Sequence, residues 1–329
     1  MAYSLEVVQR ARKRLESAKA DAESVQQQHL HHAYAQVPRI KQIDLELRRS
    51  MALAAQAAFT KGIDAKEAME QVKQANLSLQ QERAALVARN FPEGYLSEEP
   101  ICSRCGGSGY IGTQMCRCLQ ELCRQEQRKE LSVLACGEGS FQEFRLEYYP
   151  ERVDPKYGFS PRAIMEGNFR VCKRFAENFG PGSGNLLLVG GTGLGKTFLS
   201  ACIARTVADN GYAVAYETAS HLFAKLERNR FSPDEQSRAD VIKMEQCDLL
   251  IVDDLGTELP GNFVTAALYN LINDRLLGGK SMVISTNLTV EELGRRYSPQ
   301  IASRLQGNFQ RLTFVGDDIR VKKSRGETV

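Results

Sequence analysis

Gly190-Gly191-Thr192-Gly193-Leu194-Gly195-Lys196-Thr197 is the stretch that decides the fold of this chain. It fits G-x-x-x-x-G-K-[ST], and its flanks give the pattern its meaning: an apolar strand, Asn185 to Val189, runs into it, and a helix, Phe198 to Asp209, leaves it. Glycines allow the backbone to wrap a phosphate with its N–H groups turned inward, and the positive end of the following helix adds to the attraction. Gly190, Gly191, Thr192, Gly193, Leu194, Gly195, Lys196, Thr197 and Phe198 are therefore the expected cradle for ATP. Lys196 is expected on the β and γ phosphates, and Thr197 is expected to place its hydroxyl on Mg²⁺.

A second element belongs beside the first. The run Asp248-Leu-Leu-Ile-Val252 ends in Asp253-Asp254, and the carboxyl ends of strands in a parallel sheet open on one crevice. Asp253 is expected to hold the hydrated Mg²⁺ and Asp254 to polarise the attacking water, because phosphoryl transfer depends on orientation and charge placement. A further strand, Met282 to Thr286, leads to Asn287, a polar group able to orient water or sense the γ phosphate. Arg304, in Ser303-Arg304-Leu305, carries a permanent charge that could stabilise the reaction from a neighbouring subunit. Strands expected at Leu186 to Val189, Ala213 to Tyr216, Leu249 to Val252, Met282 to Ser285 and Leu312 to Val315 alternate with amphipathic helices. That alternation predicts an α/β fold whose parallel sheet is covered on both faces.

Upstream the character changes. Residues up to Asn90 hold one proline, Pro38, and one glycine, Gly62, among strong helix formers. Val8, Ala11, Leu15, Ala18, Ala22 and Val25 trace one stripe of a first helix. A second is expected after Pro38 with Ile40, Ile43 and Leu47 on one face, and a third from Asp64, with Glu67 completing a capping box, to the stop at Phe91-Pro92-Glu93-Gly94. His29, His31 and His32 fall on an exposed helix face, and a charged helix is expected near Leu119 to Leu134.

Five of the nine cysteines fall between Cys102 and Cys123. Cys102-Ser-Arg-Cys105, ten residues, then Cys116-Arg-Cys118 supply four thiolates for a tetrahedral Zn²⁺, with Gly106, Gly107 and Gly109 easing the turn; Cys123 could replace Cys116 or Cys118. Four thiolates leave no open position, so the role expected is structural. At 329 residues, 43% hydrophobic and 25% charged, the chain suggests two folded units and a connector. No apolar run approaches the ~20 residues of a membrane span, and a cytoplasmic protein is expected. A net charge of +3 does not by itself argue for nucleic acid.

Phe141-Gln-Glu-Phe144 leading to Tyr149-Pro150, the loop Gly190 to Thr197, Tyr216-Glu-Thr-Ala219, Val252-Asp-Asp-Leu-Gly256, Ser285-Thr-Asn-Leu288, Ser303-Arg-Leu305 and Asp318-Ile-Arg320 appear in one order. In these motifs the chain resembles bacterial and phage helicase loaders of the DnaC/DnaI type, which are AAA+ P-loop ATPases, over roughly Phe141 to Arg320. The resemblance implies Walker B roles for Asp253 and Asp254, a first-sensor role for Asn287, and an arginine-finger role for Arg304 in a homo-oligomer formed with ATP. It also implies a sensor role for Arg320, though Val321 to Val329 are too few for a helical lid. The segment His221 to Glu245, with Lys225, Arg228 and Arg230, would contribute to single-stranded DNA binding. The implied organisation is a helical partner-binding region over 1–95, a zinc module and connecting helix over 96–135, and an AAA+ domain without a lid over 136–329. The implied function is delivery of a replicative ring helicase onto single-stranded DNA at the start of replication. An IstB-type transposition helper ATPase shares the ATPase motifs, and a nucleotide-gated adaptor with little turnover is a third possibility.

Overall fold

The computed structural model describes residues 3–59, 65–97, 100–133 and 140–324. The chain forms two compact units, Lys13–Cys118 and Met1–Arg12 together with Leu119–Val329. Helix α1 (Leu5–Gln36) begins in the larger unit and continues into the smaller.

The larger unit is built on five parallel strands, β3 (Leu186–Val189), β4 (Val214–Thr218), β5 (Leu249–Leu255), β6 (Ser281–Thr286) and β7 (Gln310–Thr313), in the order β4-β5-β6-β3-β7. Successive side chains of a strand point to opposite faces, and here both faces are dry. Leu187, Leu250, Val252, Met282 and Ile284 enter one core, which α7 (Ala219–Phe231), α8 (Glu235–Gln246), α9 (Asn262–Leu277), α10 (Val290–Arg296) and α11 (Pro299–Asn308) close. Leu186, Leu188, Leu249, Ile251 and Val283 enter the other, which α5 (Pro161–Glu177) and α6 (Lys196–Asp209) close. Burial on both faces explains why these strands read as unbroken apolar runs rather than alternating ones. Helix starts are set locally: Ser160 caps α5 ahead of Pro161, while Asp234 with Ser237 and Thr289 with Glu292 form capping boxes.

Strand order positions the site. β3 pairs with β6, and β6 with β5, so the loops leaving their carboxyl ends are neighbours. Several boundaries differ from the sequence expectation: β4 is Val214–Thr218 where Ala213 to Tyr216 was expected, and β6 gains one residue at each end. β5 continues through both acids to Leu255. β7 starts at Gln310 and stops at Thr313, because an edge strand with exposed Gln310 and Arg311 is marked by pairing and not by apolar density. The segment His221 to Glu245 is two helices, interrupted where Pro233 precedes the Asp234 cap.

In the smaller unit, α1 is followed by α2 (Pro38–Phe59) and α3 (Ala65–Asn90), and a short hairpin, β1 (Tyr110–Ile111) with β2 (Gln114–Met115), precedes α4 (Arg117–Val133). Proline at the first position of α2 sets its start. Ala33, Ile40 and Phe91 form a small core. The α1 stripe is only partly realised: Ala11 and Leu15 are buried with Val7, whereas Ala18, Ala22 and Val25 are exposed. Two of the histidines, His29 and His32, have a structural use. His29 stacks on Tyr95 at 4.1 Å, and His32 Nδ1 lies 2.9 Å from the Tyr95 hydroxyl. The expected cap at Asp64 lies outside the described residues. No helix among the described residues is long and apolar enough to cross a membrane.

Gly190 follows β3 where the chain leaving β7 crowds it: a Cβ there would lie 2.4 Å from the Phe314 carbonyl oxygen. Gly190→Ala should destabilise the protein by about 1–3 kcal/mol through overpacking, measured by urea unfolding; an unchanged midpoint would contradict this crowding.

Candidate nucleotide and metal sites

Lys196 opens α6 behind Gly195, whose φ of 90° turns the chain from loop to helix as a side chain at that position would resist. Only 4% of Lys196 is exposed. Its Nζ donates to Gly190 O at 2.8 Å, Gly191 O at 2.6 Å and Asn287 Oδ1 at 2.7 Å. Burial lowers the ammonium's pKa, while the charges of Asp254 and Asp253 act to raise it. Lys196, Thr197, Asp254, Asn287 and Arg320 line one cavity of about 220 Å³.

Of the two acids only Asp254 lines that cavity, and a β-bulge carries it there. Val252 pairs with Ile284 and Leu255 with Thr286, so Asp253 and Asp254 together oppose Ser285. Two residues against one re-aim side chains, and Asp254 takes a left-handed backbone, φ 55°. Ser285 fills the bulge: its hydroxyl donates to Asp253 Oδ1 and accepts the Asp254 N–H at 2.9 Å. Tyr216 donates to Asp253 Oδ2 at 2.9 Å. Asp253 is thus buried and pinned, while Asp254 faces the cavity with its carboxyl pKa raised by burial and by the neighbouring Asp253 charge. Charge for charge, a buried ammonium, an amide and two carboxylates suit a phosphate chain carrying a divalent cation.

The remaining walls escaped sequence reasoning. Phe144, Arg145 and Tyr148 line the cavity, and the buried Tyr149 donates its hydroxyl to Leu194 O at 2.9 Å. The order Phe141 to Pro150 was legible as a motif, but nothing local tied it to the phosphate loop 45 residues on. Arg320 enters through α12 (Ile319–Ser324), whose first N–H bonds Gly193 O at 3.0 Å. Arg304 is not brought to this cavity. It lies over the Tyr269 ring at 4.4 Å and donates to Tyr269 Oη and Asn273 Oδ1. Of the basic residues on α7, Lys225 pairs with Glu217 and Asp240, and Arg228 with Asp234. Arg230 instead lies 5.6 Å from the ring centres of both Phe231 and Phe263.

In the smaller unit the Sγ atoms of Cys102, Cys105, Cys116 and Cys118 all lie within 4.8 Å of one another, with Cys102 to Cys116 at 3.8 Å and Cys105 to Cys118 at 3.4 Å. A tetrahedron of Zn–S bonds near 2.3 Å has edges of about 3.8 Å, so the thiols fit a zinc ion. The N–H groups of Arg104 and Cys105 hold the Cys102 thiol below its ordinary pKa, as a thiolate ligand requires. Cys123 is not in this group; it is buried on α4, with its pKa pushed up to about 11 by burial.

Residues 171–325 match the family of IstB-like ATP binding proteins. A protein described as an insertion sequence ATP-binding protein (y4iQ/y4nD/y4sD) of Sinorhizobium fredii is 32% identical over 111 residues, 34% of this chain and 36% of that one. The phage-like element PBSX protein XkdC of Bacillus subtilis is 27% identical over 215 residues, 59% of this chain and 74% of that one. The replicative helicase loader DnaC of Buchnera aphidicola subsp. Schizaphis graminum is 20% identical over 153 residues, 46% of this chain and 62% of that one.

Ser285→Ala removes the two bonds that Ser285 makes to the acid pair and leaves the phosphate loop and the Tyr216 bond to Asp253 untouched. Mg²⁺-dependent ATP turnover should fall about tenfold while ATP affinity changes less than about threefold. Steady-state assays with an ATP titration check this, and wild-type turnover would contradict the role given to Ser285.

Proposed function

Taking residues 171–325 as an ATP-binding unit of the IstB-like kind, we propose that the chain is an ATP-hydrolysing switch that delivers a replicative ring helicase onto single-stranded DNA. The observation that carries the reading is the convergence of Lys196, Asn287 and Asp254 on one cavity, in a chain that also builds a separate helical unit with four clustered thiols. Lys196 and the loop N–H groups bind the β and γ phosphates. Asp253 and Thr197 would hold Mg²⁺, which would supply neutralisation of phosphate charge. Asp254 orients the attacking water, and Asn287, bonded to Lys196, orients the γ-phosphate end. Arg304 acts in trans in a homo-oligomer, supplying its charge to a neighbour's nucleotide.

The helical unit is assigned to the helicase and the thiol group to a structural zinc. A relative named as a replicative helicase loader supports this reading. A relative named as an insertion sequence ATP-binding protein supports the second reading, a transposition helper. For single-stranded DNA the favourable chemistry is at Arg230, Phe231 and Phe263. Phe231 is 66% exposed, its ring lies 5.9 Å from that of the half-buried Phe263, and an arginine beside an exposed ring suits stacked, unpaired bases.

ATP hydrolysis measured with and without single-stranded DNA and a replicative helicase tests the proposal. Lys196→Ala should abolish nucleotide binding, and Asp254→Asn should keep binding while turnover falls about 100-fold. Hydrolysis that ignores Asp254 would remove its role, and indifference to the helicase would favour the transposition reading. Purified protein should carry one zinc per chain, lost in the Cys102→Ser, Cys105→Ser variant; equal zinc in both would remove the site.

A further inference from the structure

The turn after the paired acids is anchored by a buried carboxylate that takes no part in the phosphate site. Glu258, four residues beyond Asp254, is 6% exposed. Its Oε2 accepts the Gly256 N–H at 3.0 Å, and its Oε1 accepts the Tyr297 hydroxyl and lies 3.5 Å from Arg296 Nε. Its carbonyl oxygen accepts from the Arg296 guanidinium. Arg296 is the last residue of α10 and Tyr297 its cap, so the turn is tied to that helix at both the main chain and the side chain.

The residues in between are fixed as well. Thr257 donates its N–H and its hydroxyl to Asp254 O, at 3.3 and 2.9 Å, and Thr286 donates to Leu255 O at 2.7 Å. Asp254 needs such support. A left-handed backbone is unfavourable for an aspartate and persists where surrounding structure imposes it. A buried carboxylate is costly unless its bonds are complete, and Glu258 places each of its bonds on the turn or on α10. An apolar residue could fill the space, but it could not hold Gly256 N–H and α10 together.

We propose that Glu258, clamped by Tyr297 and Arg296, is a positioning residue that holds Asp254 in its left-handed conformation and so aims the Asp254 carboxylate at the nucleotide. The inference rests on the reading of Asp254 as the group that orients the attacking water. Glu258 does not line the cavity, so its loss reaches turnover through orientation and leaves nucleotide binding alone. Small misplacements of a catalytic group cost tenfold or more in rate.

The test uses the full chain as Glu258→Gln, Tyr297→Phe and the double variant, with wild type and Asp254→Asn alongside. Steady-state ATP hydrolysis and affinity for a fluorescent ATP analogue are measured on each, with thermal unfolding as the control. Expected is a fall in kcat of about tenfold for Glu258→Gln and about threefold for Tyr297→Phe, with KM and analogue affinity within about twofold of wild type. The double variant should be no slower than Glu258→Gln, because both changes open one clamp. Wild-type kcat in the variants would overturn the proposal. So would a loss of kcat that tracks a loss of affinity and a lower Tm, since that is what a merely structural role produces. If Glu258→Gln does not fold, Tyr297→Phe, which removes one oxygen atom, carries the same test alone. Wild-type hydrolysis insensitive to Asp254→Asn would instead overturn the reading of Asp254, and the proposal with it.

Discussion

The Lys196 ammonium is almost fully removed from water, and a charge in that position must be met by oxygens on every side. Two loop carbonyls and the Asn287 amide surround it, and the carboxylates of Asp253 and Asp254 add long-range attraction. That requirement reaches outward through the larger unit. The carbonyls come from the loop leaving β3, the amide from the end of β6 and the acids from the end of β5, so the three strands must lie side by side and point the same way. The order β5-β6-β3 satisfies this, and the two dry faces of the sheet keep it rigid. A triphosphate entering such a site meets donors and acceptors already in place, and pre-set dipoles of this kind are what phosphoryl transfer demands.

The acid pair shows how irregularity is put to use. A regular strand would send Asp253 and Asp254 to opposite faces of the sheet. The bulge opposite Ser285 gives them different tasks: Asp253 is buried under two hydroxyls, and Asp254 is turned into the cavity. The turn beyond is then fastened to α10. In the smaller unit the corresponding fixed point is the group of four thiols beside the β1–β2 hairpin, too short a pair of strands to be stable without support.

Legibility in the sequence followed the range of the interactions. The phosphate loop, the helix that leaves it and the acids behind four apolar residues are local patterns, and they could be read directly from Gly190 to Thr197 and Asp248 to Asp254. The set Cys102, Cys105, Cys116 and Cys118 was also local, although only three dimensions separate it from Cys123. Ser285, Tyr216 and Tyr149 stood in recognisable motifs, yet their roles, like that of Glu258, were hidden because each acts across 31 to 45 residues. Nothing in a serine within Met282 to Thr286 announces that it fills a bulge in another strand. The pairing of Lys225 and Arg228 with acids was equally hidden, which is why three basic residues reduce to one, Arg230, beside the exposed ring of Phe231.

A crystal structure with Mg²⁺ and a non-hydrolysable ATP analogue measures the central claim directly. The β and γ phosphates should lie within hydrogen-bonding distance of Lys196 Nζ, with the metal on Thr197 and Asp253 and a water held between Asp254 and the γ phosphate. A nucleotide seated elsewhere, or a γ phosphate far from both acids, would contradict it.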